Sequence, residues 1–138
     1  MNPIFRNILA VISGAVVCLF VNGLLISISA SVIPLPEGVD PNNLETMKAH
    51  MDAFQPKHFL FPFLAHALGS LIGAWVAAMI AASHKMVFAL AVGGLHLAGG
   101  IAAAFMIPAP VWFIVLDLAG AYLPMAWAGG KIGSPSGR

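Results

Sequence analysis

An all-α fold, a polytopic bundle of four transmembrane helices forming one domain over residues 1–138, follows from three observations. Hydrophobic residues fill 60% of the positions and charged residues 8%, against roughly 45–50% apolar in soluble domains, and the mean hydropathy is +0.95. The runs 8–33, 59–82, 87–107 and 111–129 each reach or approach the ~20 residues that carry a helix across ~30 Å of hydrocarbon. Spans two and three are joined only by Ser83-His84-Lys85-Met86, and spans three and four by Pro108-Ala109-Pro110. Links this short make consecutive helices antiparallel neighbours, hence two hairpins.

The first run, with Arg6 before it and Ser29-Ala30-Ser31 near its end, has the outline of a secretory signal. Its length exceeds the ~7–15 residues of a signal's apolar core, so it reads as an uncleaved helix. Cys18, the single cysteine, follows Ala15-Val16-Val17 and not a lipobox, and reads as a packing residue. Arg6, Lys85, Lys131 and Arg138 fall on one side of the spans, whereas Lys48 and Lys57 share the other with four acids. The excess of basic residues marks the first side, which carries both termini, as cytoplasmic.

The external segment, residues 34–57, predicts an amphipathic helix over about 43–54. Asn42 and Glu45 have the spacing of a capping box. Leu44, Met47, Met51 and Phe54 recur on one face opposite Glu45, Lys48, Asp52 and Gln55, and Pro56 ends the pattern. Such a helix lies in the headgroup region, covers an external vestibule, or docks a partner.

Both outward spans close with the same turn, Ile33-Pro34-Leu35-Pro36 and Ile107-Pro108-Ala109-Pro110, and in each a polar residue, Asn22 or His96, stands twelve positions before the first proline. The returning spans carry His66-x-x-Gly69 and Asp117-x-x-Gly120. The pattern is that of a parallel internal repeat.

Asn22, His66, His96 and Asp117 are the candidate site. At ~1.5 Å per residue, Asn22 and His96 lie ~18 Å inward of their prolines, His66 ~12 Å from His58 and Asp117 ~10 Å from Pro110, so all four occupy the outer half or the midplane. A central Asp costs about 2.5–3.5 kcal/mol in lipid, which turns these side chains toward the bundle interior. Small residues at every fourth position beside His66 (Ala65, Gly69, Gly73, Ala77, Ala81) allow the close helix approach that brings the cluster together. Pro124, on the Asp117 face, predicts a kink or hinge and frees the Gly120 carbonyl. Trp75, Trp112, Tyr122 and Trp127 read as packing or interface anchors.

An Asp beside His residues has mutually dependent protonation, which suits a small proton-linked carrier or pore handling a proton or small ion. Four helices enclose little beyond their own side chains, so such a path is expected between protomers of a homo-oligomer. In a second reading the cluster only fixes helix packing in a structural or complex subunit. In a third, His66 and His96 are axial ligands of a haem, or with Asp117 hold a divalent metal. No Cys-x-x-Cys-His and no compact His spacing is present, so the residues favour no cofactor. Nothing pairs a nucleophile with a base, so no enzymatic activity is indicated. A formal charge of +1 without interleaved aromatic and basic residues excludes nucleic acid as a partner, leaving the lipid bilayer.

The stretches Pro56-Lys57-His58-Phe59, Phe63-Leu64-Ala65-His66-Ala67-Leu68-Gly69, Ala82-Ser83-His84-Lys85-Met86 and Trp112-Phe113-Ile114-Val115-Leu116-Asp117 carry a likeness over most of the chain. By them the sequence resembles a group of small four-span bacterial membrane proteins. The resemblance implies a bacterial inner-membrane location and carries no activity with it.

Overall fold

The structure, a computed structural model, describes residues 1–135 and is all-helical over them. Four helical stretches are long and apolar enough to cross a membrane. Helix α1 (Pro3–Val32) begins five residues before the apolar run because Asn2 caps it, accepting the Ile4 N–H at 2.8 Å, and Pro3 follows with its φ already helical. Helix α2 (Leu44–Ala49) lies in the segment between the first two long helices. Short 3₁₀ turns at Met51–Ala53 and Pro56–Phe59 lead into α3 (Leu60–Ile80), which is followed by α4 (Lys85–Met106), α5 (Val111–Gly120) and α6 (Leu123–Gly133).

Two expectations are corrected. The external helix covers 44–49 and not 43–54, and its cap is Asn43, whose side chain accepts the Glu45 N–H at 3.0 Å. Asn42 instead gives its N–H to Asp40 Oδ1, and Thr46 Oγ1 accepts the Asp40 N–H, an arrangement that moves the helix start on by one residue. His50 ends the helix, with its ring Nδ1 2.9 Å from the Thr46 carbonyl. The fourth span is broken outright into α5 and α6, not merely kinked. Pro124 stands at the second position of α6 with no N–H to give Gly120, and the chain turns through Ala121 and Tyr122. The span continues to Gly133, past the expected end at 129.

The matched Ile-Pro-x-Pro turns do the same thing. α1 and α4 each stop one residue before an isoleucine in extended conformation, whose N–H returns to Ser29 O or Ala103 O at 2.8 Å. An X-Pro residue is pushed out of the helical region, so each Pro sets the boundary.

Helix α3 is central and packs on α1, α4 and α6. Its buried face is Ala65, Ala67, Gly69, Ser70, Gly73, Ala74, Ala77 and Ala78, a core built from close backbone approach more than from large side chains. A Cβ on Gly73 would stand 2.6 Å from both Cys18 Cβ and the Gly14 carbonyl, so Cys18 fills the groove that Gly73 leaves. Gly129 meets the Leu71 carbonyl and the Trp75 N–H of α3 in the same way. The outward faces are apolar, with Phe5, Ile12, Val16 and Phe20 of α1, Leu95 and Phe105 of α4 and Val115 of α5 all exposed.

At one end Arg6 donates to the Ile80 carbonyl, and Asn7 accepts the Ala82 N–H at 2.8 Å, tying the start of α1 to the end of α3. A cation at a helix C-terminus also complements its dipole. Lys85 opens α4 beside this tie, and Gly130 packs on Met86, bringing Lys131 to the same end. Arg138 lies outside the described residues. Lys48 and Lys57 stand at the other end with the external segment.

Gly129→Ala is expected to cost about 1–3 kcal/mol, because an added methyl there meets backbone that cannot step aside. Gly23→Ala, where a Cβ would have nothing within 4 Å, should be neutral or stabilise by up to about 1 kcal/mol through helix propensity. Thermal unfolding midpoints of the two variants in one detergent check the pair; equal midpoints would contradict the packing described.

Candidate functional site

The site begins with His66 and Ser70, one turn apart on α3 and therefore on one face. Opposite them stand His96 of α4 and Asp117 near the end of α5. His66 Nδ1 lies 2.8 Å from Asp117 Oδ1, and with Asp117 ionised the ring N–H is the donor. Tyr122 donates its hydroxyl to the other oxygen, Oδ2, at 3.1 Å. Ser70 Oγ and His96 Nδ1 share a hydrogen bond of 2.9 Å. The Asp117 side chain is 7% exposed and that of His66 21%, so the carboxylate is enclosed while the imidazole keeps one open side.

Two local features make this arrangement possible. In a continuous helix, residues 117 and 122 differ by five positions and point to different faces; the break at Ala121–Tyr122 swings the phenol back over Asp117. Gly100 then makes room, since a Cβ there would strike the Tyr122 ring and hydroxyl. The Tyr122 ring stacks on His66 at 5.3 Å between centroids and meets His96 edge-on at 5.0 Å, and the two imidazoles are 5.8 Å apart.

Of the four expected residues, the structure joins His66 to Asp117, sets His96 beside them with its hydrogen bond made elsewhere, and leaves Asn22 out of the hydrogen-bonding. Asn22 is nevertheless close: a Cβ on Gly69 would be 3.5 Å from Asn22 Cβ and 3.3 Å from His96 Cε1. Its Oδ1 is buried without a hydrogen-bond partner. Ser70 and Tyr122 are the members that sequence reasoning missed. Ser70 carried a signal, its spacing of four from His66, whereas Tyr122 becomes visible only once the helix is known to break.

No group of three His, Cys, Asp or Glu placed to hold a metal ion is found among the described residues. The expected set His66, His96 and Asp117 is arranged differently, with both Asp117 oxygens engaged and His96 Nδ1 turned to Ser70.

Above the array lies a cavity of about 590 Å³, within the ~300–1,000 Å³ range of small-molecule sites. Ile26, Ala30 and Ile33 of α1, Phe61 and Pro62 of α3, Ala103 and Ala104 of α4 and Phe113 and Ile114 of α5 form its walls; His66 and Asp117 line its inner end. Met47, Met51 and Phe54 of the 34–57 segment also line it, so three of the four residues of the expected apolar face border this cavity. His58 secures the cover: its Nδ1 accepts the Gln55 N–H at 2.8 Å and its Nε2 reaches the Pro34 carbonyl at 3.1 Å. The cavity is formed within one chain. The 34–57 segment supplies one of its walls.

Comparison with protein-family models, with curated proteins and with solved structures finds no match to the chain.

Removing the phenol hydroxyl leaves Asp117 Oδ2 buried without its donor, at an expected cost of about 1–3 kcal/mol for Tyr122→Phe. Combined with Asp117→Asn, the loss should fall well short of the sum of the single effects. A double-mutant cycle on unfolding midpoints reads this coupling; strict additivity would mean that the hydrogen bond contributes nothing.

Proposed function

We propose that the four apolar stretches span a bacterial inner membrane as two antiparallel hairpins with both termini cytoplasmic, and that the protein is a small proton-linked carrier. In this reading the cavity is the binding site, open to the external side, and His66, Asp117 and Tyr122 are the coupling group. The observation that carries it is the position of the His66–Asp117 hydrogen bond at the inner end of an otherwise apolar cavity. A proton taken up there changes what the site can accept or donate. Protonated at Oδ2, Asp117 becomes a donor there while Oδ1 still accepts the imidazole N–H, so the Tyr122 hydroxyl must turn from donor to acceptor or its contact must open. The Tyr122 contact spans the α5–α6 break, where the chain lacks a continuous helical ladder, and the break is therefore the natural hinge. Below the array, Gly14 against Gly73 and Gly129 against Leu71 bring helix backbones into close contact, as suits a state closed on the inner side.

A second reading has its own support. Both Asp117 oxygens are satisfied, and a complete hydrogen-bond set is what a purely structural clamp between α3 and the α5–α6 break needs. The homo-oligomer expected from the sequence is a separate proposal. It rests on the exposed side of α4, where Gly94 and Gly99 have nothing within 4 Å of an added Cβ, and native mass in mild detergent tests it.

In proteoliposomes holding a pH-sensitive dye, with membrane voltage clamped by potassium and valinomycin and acid outside, the wild type should acidify the lumen several-fold faster than protein-free vesicles. Asp117→Asn should fall to the protein-free rate. Equal rates for wild type and Asp117→Asn would favour the clamp and remove the carrier.

A further inference from the structure

The chemistry of the cavity lining narrows what it holds. Its hydroxyl-bearing wall residues are already occupied, since Ser27 donates to the Leu24 carbonyl at 2.8 Å and Ser29 to the Ile26 carbonyl at 2.7 Å. His58 at the cover uses both ring nitrogens. At the inner end Asp117 has both oxygens engaged, and His66 has given up Nδ1. At this inner end what remains is His66 Nε2, which has no hydrogen-bond partner among the described residues; the other polar side chains of the lining, Asn42 and Lys57, belong to the cover at the opposite end. With Nδ1 carrying the hydrogen, a neutral imidazole presents a lone pair at Nε2 and accepts one hydrogen bond. An occupant therefore needs one donor. An anionic occupant reaching this depth would set its charge against Asp117, and the lysine of the lining, Lys57, stands at the cover and not beside it. A cationic amine would seek carboxylate oxygens that are already bonded.

The walls supply the second half of the argument. Phe59 and Phe113 are nearly fully buried, with ring centroids 4.7 Å apart, and Phe54 lies 5.9 Å from Phe59. With Phe61 they give the cavity flat aromatic surfaces from the cover, α3 and α5. Such faces favour offset or edge-on packing of another ring over a flexible acyl chain.

Resting on the carrier reading of this same cavity, we infer that its cargo is a neutral hydroxyaromatic compound of the phenol class, the ring lying among Phe54, Phe59, Phe61 and Phe113 and the hydroxyl donated to His66 Nε2. Binding involves no covalent step. The hydroxyl recognises the same imidazole that Asp117 orients, so cargo and proton address one group.

The test uses the full chain in detergent and three probes of one ring system: 1-naphthol, its methyl ether 1-methoxynaphthalene, and 1-naphthoate, with affinities from equilibrium dialysis. Wild type should bind 1-naphthol about tenfold more tightly than either of the others, the margin one well-made hydrogen bond gives. In His66→Ala the preference over the ether should vanish while the ether still binds. Equal binding of naphthol and ether by wild type, or tighter binding of naphthoate, overturns the inference, and this comparison stands even if the variant does not fold. Naphthol preference without Asp117-dependent proton flux leaves the cargo class standing and removes the carrier. Flux without naphthol preference does the reverse.

Discussion

A carboxylate enclosed by apolar helices is the constraint around which the rest of this structure is arranged. Asp117 must have its oxygens satisfied by the protein, because an unpaired buried acid costs several kcal/mol. One donor is available from the neighbouring helix, His66 at 2.8 Å. The second comes from its own span only if that span breaks, and the sequence provides for this with Pro124, whose missing N–H interrupts the ladder at Gly120. Space for the returning phenol comes from Gly100 on a third helix. Three helices thus carry residues whose identities make sense only with respect to one carboxylate.

The same economy separates the two halves of the bundle. Toward the end that holds Arg6, Lys85 and Lys131, glycine and alanine let the backbones of α1 and α6 each come close to that of α3. Toward the other end larger residues line the cavity, which the 34–57 segment covers. The transition between the two regimes falls at the polar array.

Much of this was legible in the sequence. The four spans follow from hydrophobic run length, a one-dimensional property. Their ends were displaced where local caps won, as Asn2 and Pro3 did at the start of α1. Turning His66 and Asp117 inward required only the cost of an ionisable group in lipid, and the two do meet. Which of the inward-facing groups would bond depended on rotation and register, which spacing does not reveal. His96 therefore went to Ser70 and Asn22 to neither. The external helix came out at half its expected length, since side-chain bonds among Asp40, Asn43 and Thr46 outweighed a hydrophobic periodicity with little to pack against at its start.

The bonds of Arg6 and Asn7 have a consequence for biogenesis. Their partners lie at Ile80, Ala82 and Ser83, and Arg6 is separated from its acceptor by 74 positions. At about 5–20 residues per second of translation, α1 waits several seconds before the groups that anchor its beginning exist. During that interval it must be stable as a solitary helix. Its make-up fits it to stand alone, with thirty residues, only Ala10, Gly14 and Cys18 of them buried in the finished bundle, and no charge after Arg6. Of the four stretches long enough to cross a membrane, the least embedded is also the earliest in the chain, and α3 later packs its small-residue face against a helix already formed.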